Sequence, residues 1–374
     1  MAVSTPASLF ASFPLSALIG RLAPPAPVRT FLRSTLNTLR PPRAIRHRAK
    51  IRHRQDSLLA RGAAAPHQRA SLVCEPRPGP VPTIVLGGFV PDGPEAVYLL
   101  RGLLLRSGSL YCFNYPRGGF STELLFAQLD DLVDELALLG GRRPVVFAIS
   151  FGAGLLVEWL RRARAAGRRP AVRGLVMISP VAGIADLYAP GEARPSTLLG
   201  RALKPYLDPR AAIDPELIEK SRAIFRKMFE AGAQNKEVPG AILSRKELRD
   251  LRPAVLATIQ EIDFRGACER VQSLCQLRAL SVEQDAGLGP LAEAPTLILY
   301  AEKEGSVLNV RSPTRFALET MIRTWFPQGE CRQVSNPQGS PVQHASLIFH
   351  CFSFRPHLAQ FYRRLRIGKV PCAA

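Results

Sequence analysis

Ser150 stands where an apolar run, Pro144-Val145-Val146-Phe147-Ala148-Ile149, meets a stretch of small residues, Phe151-Gly152-Ala153-Gly154. A short β-branched run without charge reads as a strand buried on both faces, and the small residues after it open a helix. The serine therefore sits on a tight strand-to-helix turn. Such a turn needs small side chains two residues before and two after the serine, and Ala148 and Gly152 supply them. A serine hydroxyl is a weak nucleophile at neutral pH. To act, it needs a base within hydrogen-bond reach and a third group that fixes the tautomer of that base.

Six histidines are available as the base. His47, His53 and His67 lie in an arginine-rich N-terminal segment, which leaves His344, His350 and His357. His344 follows a strand-like run, Cys331 to Val334, and a polar loop with Gly and Pro. It then opens the apolar run Ala345-Ser346-Leu347-Ile348-Phe349, which reads as helical. His350 and His357 fall within or after that helix, where a packed or surface histidine is the plainer reading. For the acid, the strand-like run Thr296 to Tyr300 leads into Ala301-Glu302-Lys303-Glu304-Gly305-Ser306-Val307. Glu304 is the candidate there, with a solvated surface turn as the bland alternative. Asp186, after an earlier strand, is the rival.

These segments, in this order, resemble the α/β-hydrolase superfamily. Ala148-Ile149-Ser150-Phe151-Gly152 is similar to the G-x-S-x-G nucleophile elbow, with Ala148 in place of the first glycine. The loop from Ala301 to Val307 resembles G-x-x-D-x-x-V, with Glu304 at the acid position. His344 stands just ahead of the last helix, as the family's histidine does. Asn114-Tyr115-Pro116-Arg117-Gly118-Gly119-Phe120-Ser121 resembles the D-x-P-G-x-G-x-S loop. The resemblance spans roughly residues 80 to 365. It implies Ser150 as nucleophile, His344 as base and Glu304 as the orienting acid, acting on a small-molecule carboxylic ester or thioester without metal or cofactor. It also implies an oxyanion hole formed by the amides of Phe89 and Phe151, with Gly87, Gly88 and Gly152 giving the backbone room. Loss of one such donor costs about 3 kcal/mol of barrier. Ala148, Glu304 and the absence of the family's His-Gly before Phe89 are departures. They keep a second reading open, a non-catalytic binding or scaffold protein on the same fold.

The elements that must position these residues can be read from periodicity. Thr83 to Leu86, Leu110 to Asn114, Val145 to Ile149, Leu175 to Ile178 and Thr296 to Tyr300 read as buried strands. Glu95 to Leu105, Glu123 to Leu139 and Gly154 to Ala166 read as helices between them. Alternation of this kind predicts an α/β fold with a mainly parallel sheet covered on both faces. From Asp186 to Leu291 the pattern becomes helical, with members at Thr197 to Tyr206, Pro215 to Ala231, Lys246 to Ile262 and Gly266 to Leu280. The expected organisation is a basic arm (1–75), a core in two pieces (76–185 and 292–374) and a helical cap (186–291) over the carboxyl ends of the strands. Leu198, Leu199, Leu203, Phe225, Met228 and Phe229 of that cap line an acyl pocket or form the cap's own core.

Composition bounds the rest. Hydrophobic residues make up 47% and charged residues 21%, so the chain as a whole should fold. The net charge of +20 is uneven, because residues 1 to 70 hold twelve Lys/Arg against one acid, Asp56. Within that stretch Val28, Phe31, Leu32, Leu36 and Leu39 recur at helical spacing among arginines. Residues 21–54 are thus a candidate for an anionic membrane surface, or else a helix packed on the core or a solvated arm. Aromatic residues for base stacking are nearly absent there, which disfavours nucleic acid. Seven cysteines without a CxxC pair argue against a disulfide framework and a zinc site. No apolar run is long enough to span a bilayer, and the stretch Leu9 to Ile19 makes a poor signal peptide. An intracellular, cytoplasmic location is expected, with organellar targeting left open by the acid-free N-terminus.

Overall fold

The computed structural model describes residues 44–367 apart from 190–191, 193, 209–213, 235–243, 286 and 338. Eight strands form one sheet: β1 (Ile45–Arg46), β2 (Ser71–Glu75), β3 (Thr83–Leu86), β4 (Leu110–Asn114), β5 (Val145–Ile149), β6 (Gly174–Ile178), β7 (Thr296–Ala301) and β8 (Gly329–Val334). Their order is β1-β2-β4-β3-β5-β6-β7-β8. From β4 across to β8 every neighbouring pair is parallel, and β1 and β2 add an antiparallel edge. The mainly parallel sheet expected from the sequence is present.

Side chains alternate across a strand, and here each face meets its own apolar layer. From β5, Val146 and Ala148 enter one layer with Leu155 and Trp159. Val145, Phe147 and Ile149 enter the other with Phe354, Leu358 and Phe361. The helices that close the layers are α1 (His53–Ala60), α2 (Thr122–Asp134), α3 (Phe151–Ala165), α4 (Leu198–Leu203), α5 (Pro215–Gln234), α6 (Ser244–Glu261), α7 (Phe264–Gln276), α8 (Pro313–Trp325) and α9 (Cys351–Ile367). Helices α4 to α7 come from the long insertion between β6 and β7. Residues 1–43, with the candidate helix Val28 to Leu39, lie outside the described residues.

Three expectations need correction. The boundary of the arm at 75 falls too late, because residues 44–75 belong to the fold: β2 pairs along its whole length with β4, from Ser71 opposite Asn114 to Glu75 opposite Leu110. Helix α1 also docks on α2. The buried carboxylate of Asp131 accepts from Gln55 N at 3.3 Å, Gln55 Nε2 at 3.2 Å and Arg54 Nη1 at 3.2 Å, and Arg54 also reaches Asp134 at 2.7 Å. Arg54 is thus engaged by the core rather than held out as a free cation. Second, the helix expected over Glu95 to Leu105 is broken into Gly93–Ala96, a tight turn Tyr98–Leu100 and Arg101–Leu104. The chain leaves helical dihedrals at Val97 (φ −102°, ψ 7°), and Leu99, Leu100, Leu103 and Leu104 all stay in the second layer. Third, Ala345 to Phe349 forms turns instead of a helix, with Ala345 at φ 47°, and α9 begins only at Cys351.

Candidate active site

Strand β5 delivers Ser150 to a sharp turn with φ 51° and ψ −114°, a conformation that non-glycine residues rarely adopt. The turn is held from both sides of the peptide. Ser150 N donates to Ile178 O on β6 at 2.8 Å, and Ser150 O accepts from Val181 N at 3.1 Å. Close approach explains the small residues. A Cβ on Gly152 would stand 2.3 Å from Gly87 O, and one on Gly87 would stand 2.8 Å from Gly93 N. Gly88 differs. A methyl there would fit, but 3.6 Å from Ser150 Cβ, so this part of the Gly87-Gly88-Phe89 turn lies directly against the serine.

His344 arrives on the loop between β8 and α9, and its Nε2 lies 2.9 Å from Ser150 Oγ. Its Nδ1 is hydrogen-bonded to Glu304 Oε2. An ionised carboxylate can only accept, so Nδ1 carries the proton and Nε2 is left to accept from the serine hydroxyl. Glu304 follows β7 and is buried. Its Oε1 accepts from Ser179 Oγ at 2.7 Å and from Ala301 N at 2.7 Å. Burial alone would raise the pKa of this carboxyl. The charge and hydrogen bond of His344, with the bonds from Ser179 and Ala301, outweigh it and hold the group below its ordinary value.

The structure therefore brings Ser150, His344 and Glu304 into one connected chain of hydrogen bonds. Phe151 opens α3, where the first N–H groups have no partner inside the helix. Phe151 directly follows Ser150, and Phe89, whose ring lies 5.9 Å from that of Phe151, lines the same cavity as the serine. Asp186 is placed elsewhere. It is buried and accepts from Ser312 Oγ at 2.7 Å, Thr314 N at 3.0 Å and Ala182 N at 2.8 Å, which ties the start of α8 to the segment after β6. His350 is buried against Ser346 and the Ser340 carbonyl. His357 lies 3.5 Å from Arg332 Nη1.

One member of this cluster is missed by reading the sequence. Ser179 ends β6 at φ 45°, donates to Glu304 and accepts from Ala345 N at 3.2 Å, so it binds both the acid and the residue after the histidine. Its only signal is its place, a serine at the carboxyl end of the strand adjoining the one that bears Ser150.

Ser150 and His344 face a cavity of about 350 Å³. The cap contributes Leu198 and Leu199 from α4, Phe225, Met228 and Phe229 from α5, and Val255 and Ile259 from α6. Among the described residues, no Asp, Glu, Lys or Arg lines it. Of the six apolar cap residues singled out above, five line the cavity, while Leu203 is buried in the first core layer.

No protein-family model and no curated protein matches the sequence. Solved structures do. An esterase from Thermogutta terrifontis aligns with a TM-score of 0.51 at 16% identity, covering 79% of this chain and 94% of its own. A membrane phospholipase A aligns with a TM-score of 0.51 at 15% identity, over 95% of this chain and 97% of its own. An epoxide hydrolase aligns with a TM-score of 0.50 at 11% identity, over 86% and 100%. At these identities the likeness is one of architecture: together with the strand order and turn geometry above, it shows that the chain has the α/β-hydrolase fold.

Proposed function

We propose that the chain is a serine hydrolase acting on a small-molecule carboxylic ester or thioester. The observation that carries this reading is the relay from Ser150 Oγ to His344 Nε2, 2.9 Å apart, continued through Nδ1 to Glu304, at the wall of a cavity whose described lining is mainly apolar. Ser150 Oγ attacks the acyl carbon as His344 Nε2 takes the hydroxyl proton. The carbonyl oxygen becomes an oxyanion, with the amides of Phe89 and Phe151 as its donors. Glu304 keeps Nδ1 protonated and offsets the imidazolium charge. The tetrahedral intermediate collapses, the bond to the leaving oxygen or sulfur breaks, and His344 returns the proton to it. A water deprotonated by His344 then attacks the acyl-serine and frees the acid and Ser150.

A fluorophosphonate probe tests nucleophile activation without knowledge of the natural substrate. The wild-type protein is expected to label, while Ser150→Ala does not label at all and His344→Ala labels at least about a hundredfold more slowly. A folded wild-type protein that stays unlabelled would return the reading to a non-catalytic binding protein on this fold.

A further inference from the structure

Resting on the hydrolase reading above, we infer that Arg270, carried on cap helix α7, is a positioning residue that holds the oxyanion turn in its working shape. Arg270 is completely buried. Its Nη1 donates to the carbonyl of Phe89 at 3.0 Å, and its Nη2 to that of Pro116 at 3.0 Å. The guanidinium carbon also lies 5.9 Å from the ring centre of Phe89 and 5.5 Å from that of Tyr115. On the other side of the turn, the Tyr115 hydroxyl donates to Gly87 O at 3.0 Å.

The consequence is geometric. The Phe89 N–H belongs to the peptide that joins Gly88 to Phe89. The peptide before it is held through the Gly87 carbonyl and the peptide after it through the Phe89 carbonyl. The donor peptide is thus pinned from both ends, in a segment with two glycines whose dihedrals would otherwise be free. An oxyanion donor stabilises developing charge because it need not reorganise when the charge appears, so a pinned peptide is worth more than a mobile one.

Burying a guanidinium is expensive, and an apolar side chain of similar volume at a buried ionic position is often neutral or stabilising. Burial pushes the pKa of Arg270 down to about 10, the buried Asp92 works to raise it, and Arg117 lowers it further. Asp92 is itself paired with Arg117 at 2.8 Å. A leucine or methionine between the two aromatic rings would avoid that cost, but it could not hold two carbonyls. The seating of α7 points the same way: a Cβ on Gly266 would come 2.0 Å from Arg117 O. The helix is pressed onto the loop after β4 one turn before Arg270, which leaves the guanidinium no slack.

The experiment is steady-state hydrolysis of p-nitrophenyl butyrate by the full chain, with thermal unfolding of each variant, for Arg270→Met, Arg270→Lys and Tyr115→Phe. Arg270→Met is expected to lower kcat about ten- to a hundredfold with KM within about threefold. Arg270→Lys should recover part of the loss, because an ammonium can hold one of the two carbonyls. Tyr115→Phe should fall in the same direction by less. Affinity for a trifluoromethyl ketone, which forms an oxyanion on Ser150, should fall in step with kcat; a purely structural role in seating the cap would not produce that parallel. A folded Arg270→Met with unchanged kcat, or with only a raised KM, overturns the inference. If Arg270→Met does not fold, unchanged kcat in both Arg270→Lys and Tyr115→Phe overturns it. A folded wild-type protein that neither labels with fluorophosphonate nor hydrolyses the ester overturns the hydrolase reading and this inference with it, whereas an active wild type with indifferent variants sinks this inference alone.

Discussion

His350 shows how a residue with no part in the chemistry shapes the part of its neighbour. It lies six positions after His344 and is completely buried. In its neutral form Nε2–H donates to the Ser340 carbonyl at 3.1 Å and Nδ1 lies 2.8 Å from the Ser346 hydroxyl, which also reaches the Gln343 carbonyl at 2.8 Å, so the ring closes the loop that presents His344. Burial lowers its pKa below the ordinary 6.5, against smaller opposing effects of the Ser340 carbonyl and Glu302. The folded state therefore prefers the neutral ring. Its contribution to stability is full above about pH 6.5 and is lost as pH falls through the lowered folded value, because the unfolded chain takes up the proton first. His350→Gln keeps a donor and an acceptor but cannot titrate. Thermal unfolding followed from pH 7.5 to 5 should show a variant that is less stable at neutral pH and has a flatter acid limb. Parallel profiles would exclude His350 as the titrating group. At this scale the sequence is legible where a motif is local: Ser150, Glu304 and His344 each announce themselves by their neighbours. Ser179 and Arg270 do not, since the first reaches Glu304 only through the adjacency of β6 and β7, and the second reaches Phe89 across 181 residues of chain.

Among the elements, the inner parallel strands are the easiest to read because both of their faces are dry. Each of β3, β5 and β7 is buried at every position, and that leaves an unbroken apolar run in the sequence. Strand β2 shows the limit. Ser71-Leu72-Val73-Cys74-Glu75 is only partly buried and belongs to the antiparallel edge, so its short alternation is submerged in an arginine-rich composition. Ala345 to Phe349 misleads for the opposite reason: it is apolar because it covers the cavity and the second core layer, and not because it is a helix. The docking of α1 on α2 makes a prediction at this level. Asp131→Ala removes the acceptor for both donors of Gln55 and for Arg54, leaving buried polar groups unpaired, and should destabilise the fold by about 1–3 kcal/mol. Urea denaturation measures it. A change within about 0.3 kcal/mol would mean that residues 44–60 are not held through this carboxylate.

For the molecule as a whole, the working space lies between two bodies of different origin, the sheet with its loops and the inserted cap. Phe349 on the sheet side meets Phe229 of α5 with ring centres 5.4 Å apart. The fit here is close: a Cβ at position 232 would stand 2.2 Å from the Phe349 ring, so any residue larger than glycine requires that ring to move. Phe349 also lines the cavity. Replacing it with alanine should lengthen the apolar space and shift kcat/KM toward p-nitrophenyl esters several carbons longer, by about tenfold relative to the butyrate ester. A chain-length profile unchanged from wild type would place the acyl chain against another wall. No helix among the described residues is long and apolar enough to cross a membrane.

The cap is not mechanically uniform. Helix α7 is joined to the chain beneath the site by polar bonds: Arg270 to Phe89 and Pro116, and Glu269 Oε2 accepting from Phe120 N at 2.6 Å. Helix α5 meets the site through the apolar side chains of Phe225, Met228 and Phe229. Apolar surfaces slide and part without leaving a donor or acceptor stranded, whereas lifting α7 would strand several at once and loosen the turn beneath it. On the serine hydrolase reading, substrate and product would pass on the α5 side of the cap, whose polar ties run to other parts of the cap, such as Ser221 to Ala202 O and Arg222 to Ile262 O, while the α7 side would behave as part of the floor: a door that opens without dismantling the bench.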